Sequence, residues 1–170
     1  MAKSQDKCWA VNFIEALPRL LWAEGLIGAA ALPQDQCMCH LDAHPHNVLI
    51  VSNGSIRLID WDGTGMASAS SELADAVLNW ACSGDGQPFN DLPRKMLQTY
   101  RDHGGTFEMD GLDVFAQHLI GWMNWIEINV ELALGELPPF ETVRFDESVA
   151  HLFTWTKRLE GIDLLLEQLR

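Results

Sequence analysis

Apolar positions recur at helical spacing through the first thirty residues. Trp9, Phe13, Ile14, Leu17, Leu20 and Leu21 mark a helix from Trp9 to Leu26. Pro18 inside it predicts a kink or a split, and Gly25 and Gly28 mark its end. A loop through Pro33-Gln34-Asp35-Gln36 follows. The period then shortens. Cys37 to His40 reads as a strand or an entry turn, and Val48-Leu49-Ile50-Val51 and Ile56 to Ile59 read as strands. Asn53-Gly54 between them is a hairpin signal, which places Asn47 and Asp60 at the open end of one hairpin. After Asp62 the pattern is helical throughout. Ser71 can cap a helix to Cys82, and Leu92 to His103 is a helix stopped by Gly104-Gly105. Leu112 to Leu134 is a long helix apolar on more than one side, broken by Pro138-Pro139. Asp146 or Ser148 can cap a last helix. One interior hairpin among helices predicts an α+β, mainly α, single domain spanning 1–170.

Bulk properties change this picture little. A chain of 170 residues can bury roughly 70% of its unfolded surface and needs no metal or disulfide to fold. The net charge of −13 argues against nucleic acid or an anionic membrane as partner. It suits a soluble surface, or a cleft that attracts a cationic substrate. No apolar run is long enough to cross a bilayer. Four cysteines without a signal-peptide pattern fit free thiols in a reducing, cytoplasmic setting. Cys37-Met38-Cys39 lacks the spacing of zinc pairs.

The chemistry concentrates in His40-Leu41-Asp42-Ala43-His44-Pro45-His46-Asn47 and in Ile59-Asp60-Trp61-Asp62. An Asp is followed five residues later by an Asn, and a second Asp ends the next apolar run. Protein kinases use that step between a catalytic Asp and a magnesium-binding Asn. A carboxylate to take a hydroxyl proton, with an amide and a carboxylate for Mg²⁺, makes three parts of a phosphoryl-transfer site. Pro45 biases His44 toward extended backbone and holds Asp42 and Asn47 apart.

These two motifs resemble the aminoglycoside phosphotransferase and choline kinase-like superfamily, whose fold is protein-kinase-like. His40, Asp42, His44, Pro45 and Asn47 match its catalytic loop, and Ile59, Asp60, Trp61 and Asp62 its metal-binding motif. The match is dense over residues 36–80 and weak over the helical remainder, 81–170. The resemblance implies Asp42 as catalytic residue and Asn47 and Asp60 as metal ligands. It also implies Leu49 and Ile59 at the floor of an adenine pocket, and a structural role for His40. Glu72-Leu73-Ala74 resembles the family's Asp-Leu-Ala. Leu41, Ala43 and His46 stand where the family has Gly, Leu and Gly. Only 39 residues precede His40, without a Gly-rich loop or a suitably placed Lys, so the chain reads as the C-terminal lobe with the N-lobe absent. The resemblance thus implies Mg²⁺ and ATP (or GTP), with transfer to the hydroxyl of a small molecule such as an aminoglycoside or another amine. Glu127 and Glu131, four residues apart, are candidate contacts to such a cation, with Asp75 and Glu136, the alternative being a solvated helix face.

Three other readings compete. Ile59 to Thr64 also resembles the first motif of haloacid dehalogenase-like phosphatases, with Asp60 as nucleophile and Asp62 as general acid. His40, Asp42, His44 and His46 alternate, and on a strand they would present a zinc-like set. An inert lobe is the third. It would act as a binding or assembly module, self-associating or pairing through the apolar surface left on its nucleotide side. Trp80, Trp122, Trp125 and Trp155 are assigned to the core in preference to a substrate cage.

Overall fold

A computed structural model describes residues 8–30, 34–109 and 111–134, and residues 154, 157, 158, 161, 162, 164 and 165 of a further helical stretch. Helix α1 spans Cys8–Ala29, and strand β1 spans Gln36–Cys39. Strands β2 (Val48–Ile50), β3 (Ile56–Leu58) and β4 (Gly65–Ser68) follow. They lead into α2 (Ala69–Ala81), α3 (Leu92–Asp102) and α4 (Ala116–Leu134). The mainly helical α+β expectation holds.

The strands form two nested antiparallel ladders. The inner one is β2–β3, with Val48 opposite Leu58 and Ile50 opposite Ile56. Its turn places Gly54 at φ 80°, a conformation that glycine adopts without steric cost, and Ser55 accepts the Val51 N–H at 2.9 Å. The outer one is β1–β4, with Cys37 opposite Ala67 and Cys39 opposite Gly65. Two connections run between the ladders, residues 40–47 and 59–64. Both candidate motifs lie there, so the nesting brings them side by side.

Several expectations are corrected. α1 runs unbroken through Pro18. It is anchored by Leu20 and Ala23, whose burial favours continuing the helix despite the missing backbone donor. The chain after Asp62 is not helical throughout, because Gly65–Ser68 pairs with β1. Ser68, not Ser71, caps α2, its side chain accepting the Ser71 N–H at 3.1 Å. Leu112–Phe115 forms a 3₁₀ turn before α4 instead of its first turn. The breaks at Pro138-Pro139 and the caps at Asp146 and Ser148 lie outside the described residues, as do Glu136 and Trp155.

The core is helical. Leu20 and Ala23 of α1, Ala74, Val77, Leu78 and Ala81 of α2, and Leu97 of α3 pack around Phe115. Leu119, Trp122 and Ile126 of α4, with Ile162 and Leu165, complete it. The hydrophobic effect acts here through a few large side chains such as Phe115 and Leu119, both 0% exposed. The strands contribute little to it. Ile50 and Ile56 remain 79% and 70% exposed. The ladders are an arm that presents loops, fastened to the helices at its base. Asp35 makes that fastening, accepting from the Ser70 N–H at 2.8 Å and the Ser70 hydroxyl at 2.7 Å. Hydrogen bonds from Ser68 and Ser70 hold its carboxyl below the usual carboxylate range.

Candidate active site

The 40–47 connection leaves β1 with Leu41 at φ 66°. This left-handed turn is where the sequence departs from glycine, and a branched side chain there costs on the order of 1–2 kcal/mol. Glu72, in the first turn of α2, compensates. Its Oε1 accepts both the His40 N–H at 2.6 Å and the Leu41 N–H at 2.9 Å. Hydrogen bonds to a carboxylate are the stronger kind. Trp80, two turns further along α2, donates from its indole to the Ala43 carbonyl at 2.7 Å. Helix α2 therefore grips the first half of the loop at two points. Trp80, assigned to the core by sequence, is a half-buried strut.

Asp42 is held within this frame. Asn47 donates from Nδ2 to Asp42 Oδ2 at 2.6 Å and to the Asp42 carbonyl at 3.0 Å. His44 Nε2 lies 3.3 Å from Asp42 Oδ1. His44 is extended (φ −110°, ψ 168°), as Pro45 dictates, and its Nδ1 accepts the His46 N–H at 3.2 Å. That bond occupies Nδ1 as an acceptor and leaves Nε2 as the N–H that faces Asp42. Both carboxylate oxygens thus face donors, while the Asp42 side chain stays 52% exposed and available to a ligand.

His40 is engaged at both ring nitrogens. Its ring is buried, its Nδ1 accepts the Asp42 N–H at 3.3 Å, and its Nε2 meets the Ile59 carbonyl at 2.9 Å. It ties the two connections together and packs edge-on to Trp61. The turn at Leu41 breaks the alternation that would put His40, Asp42, His44 and His46 on one face. Among the described residues no group of three His, Cys, Asp or Glu side chains could hold a metal, which disposes of the zinc reading.

The second connection is built differently. The Ile59 N–H donates to the Asn47 carbonyl at 2.9 Å, so Asp60 follows directly on the residue paired with Asn47. Asp60 is left-handed (φ 62°) and exposed, and its side chain makes no capping bond. Asp62 is exposed in the 3₁₀ turn Trp61–Gly63. The described strands are all antiparallel, in pairs, so the haloacid dehalogenase reading lacks its parallel sheet. Leu49 is 49% exposed and sits opposite Arg57, and strand alternation sets Leu49, Arg57 and Ile59 on one face of the inner ladder.

Asn47 and Asp60 carry the side-chain oxygens that a magnesium ion would require. The Asn47 Nδ2 is occupied by Asp42, so Oδ1 is the atom that would face a cation. Asp60 offers an uncommitted carboxylate. Mg²⁺ is commonly held by one or two such oxygens, with waters and substrate phosphates completing its shell. The donor set fits that ion and needs no third protein carboxylate.

Asp42 opens onto a cleft of about 860 Å³. The far wall comes from α2, α4 and the last helical stretch: Asp75, Asn79, His118, Trp122, Trp125 and Arg158. Asp75, Asn79, His118 and Arg158 are linked to one another, while the buried His118 Nε2 and Arg158 Nε have no hydrogen-bond partner among the described residues. Asp75 Oδ1 is in close contact with His118 Nδ1 and accepts from Asn79 Nδ2 at 3.0 Å. Arg158 donates to Asn79 Oδ1 at 3.3 Å and lies over Trp122. Burial pulls the Arg158 guanidinium below its usual value, and Asp75 acts against that. Gly86 and Gly161 bring the 83–88 turn and the last helix so close that a side chain on Gly161 would overlap the Gly86 backbone. Glu127 and Glu131, on α4 beyond Trp125, are not among the cleft's lining residues. The wall is drawn from Asp75, Asn79, His118 and Arg158, for which the sequence carries no local motif.

No curated protein and no solved structure matches this chain. Among the described residues no helix is long and apolar enough to cross a membrane. A family model does match: that of the phosphotransferase enzyme family, over residues 3–112. Those residues contain both connections, the two ladders, α2 and α3. The chain therefore belongs to the phosphotransferase enzyme family, within the aminoglycoside phosphotransferase and choline kinase-like superfamily.

Proposed function

We propose that this chain carries the acceptor-binding and metal-binding half of a small-molecule kinase, moving the γ-phosphoryl group of ATP or GTP to a substrate hydroxyl. The observation that supports it most is the fixed Asp42 carboxylate at the edge of the cleft, adjoining a connection with a free Asp60. Asp42 accepts the acceptor's hydroxyl proton and orients the oxygen for attack. Asn47 and His44 fix the carboxylate, which suits a reaction governed by positioning more than by basicity. Asn47 Oδ1 and Asp60 would hold Mg²⁺. When bound, that ion neutralises charge on the nucleotide phosphates. Leu49 and Ile59 supply an apolar floor for the base.

The acceptor enters between Asp42 and the Trp122–Trp125 wall. The cleft's other carboxylates are already engaged, Glu72 by loop amides and Asp75 by His118 and Asn79. The acidic total therefore does not by itself specify an amine. The test is a transfer assay with γ-labelled ATP against a panel of hydroxylated amines, sugars and amino acids. Wild type should label at least one acceptor, and Asp42→Asn should lower that rate by about a thousandfold while keeping its fold. Equal rates for the two proteins would remove Asp42 from the chemistry.

A further inference from the structure

Outside this chemistry, β1 carries a feature the function does not use. Cys37 and Cys39 are two residues apart on one face of the strand, and their sulfurs lie 3.6 Å from each other. Cys37 is exposed and Cys39 is 1% exposed. The next residue is His40, whose N–H is clamped by Glu72 and whose ring joins the two connections. We propose that Cys37 and Cys39 form a thiol–disulfide switch that takes a small-molecule disulfide as its oxidant and loosens the catalytic loop when it closes.

Accessibility sets the order of events. The Cys37 thiolate, its proton released to solvent, attacks one sulfur of glutathione disulfide. A mixed disulfide forms and one glutathione thiolate leaves and is protonated. Cys39 then attacks the Cys37 sulfur as its proton passes to the departing sulfur, so that the Cys37–Cys39 bond forms, the Cys37–glutathione bond breaks and the second glutathione leaves as a thiol. Two protein thiols are oxidised and one disulfide is reduced to two thiols, so atoms and electrons balance. Burial, with Glu72 beside it, pushes the Cys39 thiol well above its ordinary value, which makes it the resolving partner and not the first to react.

Geometry couples this bond to the loop. In an extended strand, Cα atoms two residues apart stand roughly 6.5–7 Å from each other. A disulfide is usually comfortable at about 5.5–6 Å. Closing the bond therefore shortens β1 between its two pairings to β4, Cys37 with Ala67 and Cys39 with Gly65. It also removes the Cys39 S–H that donates to the Ala67 carbonyl at 3.6 Å. The strain falls on the residue before His40 and reaches the Glu72 clamp.

The experiment incubates the full chain with glutathione disulfide, followed by tryptic mass mapping and hydrogen exchange. Residues 20–57 form one tryptic peptide that contains Cys37 and Cys39 and no other cysteine. In wild type that peptide should become lighter by two hydrogens, and exchange at the His40 and Leu41 amides should quicken by about tenfold. Cys39→Ala, which keeps a small apolar group in the buried site, should instead retain a glutathione adduct on Cys37. Cys37→Ser should show neither change. A wild-type peptide that stays unmodified, or that keeps a glutathione adduct with Cys39 still free, overturns the proposal. So does an internal disulfide that leaves exchange at His40 and Leu41 unaltered.

Discussion

The two connections between the ladders differ in how their aspartates are held. Asp42 sits in a loop gripped by Glu72 and Trp80, with Asn47 and His44 at its carboxylate. Asp60 sits in a strained turn and its carboxylate has no such support. The contrast follows from the work each would do. A group that receives a proton from a substrate must be oriented before the substrate arrives, because nothing else will orient it. A metal ligand takes its final geometry from the ion, so an exposed carboxylate on a short tether suffices. Strain at Asp60 and at Leu41 is of one kind in backbone terms, but only Leu41 has a partner placed to offset it.

Breaking the better-supported loop should have the largest effect. Glu72→Ala leaves two loop N–H groups without their acceptor, one of them on buried His40. Chemical denaturation should show a loss of about 2–3 kcal/mol. The loop amides at 40 and 41 should lose exchange protection while α4 keeps its own. Uniform loss across both regions would mean that Glu72 supports the whole core and not the loop.

Relieving the strain at Leu41 should act in the opposite direction. Leu41→Gly removes the steric cost of φ 66° and should stabilise the chain by roughly 0.5–1 kcal/mol, read as a higher denaturation midpoint. In the Glu72→Ala background the same change should recover part of the lost protection. A lower midpoint would show that the Leu41 side chain, which lines the cleft, contributes more by packing than its backbone costs.

The smallest effect concerns the base of the arm. Hydrogen bonds from Ser68 and Ser70 lower the folded-state pKa of Asp35 from its ordinary 3.8. A lowered carboxyl pKa adds stability above the ordinary value, and that stability is lost as pH falls through the folded one. Asp35→Asn should therefore cost about 1 kcal/mol or less at pH 7, given the residue's exposure. The gap between wild type and variant should narrow in thermal melts as the pH is taken below the ordinary 3.8 and through the lower folded value. A gap independent of pH would assign the contribution to hydrogen bonding without charge.

Much of the site is legible in the sequence because it is local. Asp42 to Asn47 is a single loop with fixed spacing, Asn53-Gly54 sets the hairpin, and together they bring Asp60 beside Asn47. The α3 boundaries are similarly readable, since Gly104 at φ 87° ends that helix from within its own turn. What escapes is decided at a distance. Gly65-Met66-Ala67-Ser68 has no strand-like pattern and becomes β4 only because β1, almost thirty residues earlier, pairs with it. Pro18 does not split the helix, because packing of Leu20 and Ala23 outweighs one missing donor. Asp75, Asn79, His118 and Arg158 come from three separated segments, and nothing in their neighbourhoods announces that they share a wall. Glu72 was visible as a motif position, but its partners are more than thirty residues away in sequence.

In the proposed function Asp60 and Asn47 would hold the metal-bound nucleotide, and Asp42 would serve a separate purpose beside them. Calorimetric titration with ATP in the presence and absence of Mg²⁺ tests it directly on wild type, Asp60→Asn and Asp42→Asn. Wild type and Asp42→Asn should bind ATP only with Mg²⁺ and with matching affinity, while Asp60→Asn weakens that binding by at least about tenfold. Equal Mg²⁺-dependent binding by Asp60→Asn and wild type, or none by wild type, would contradict it.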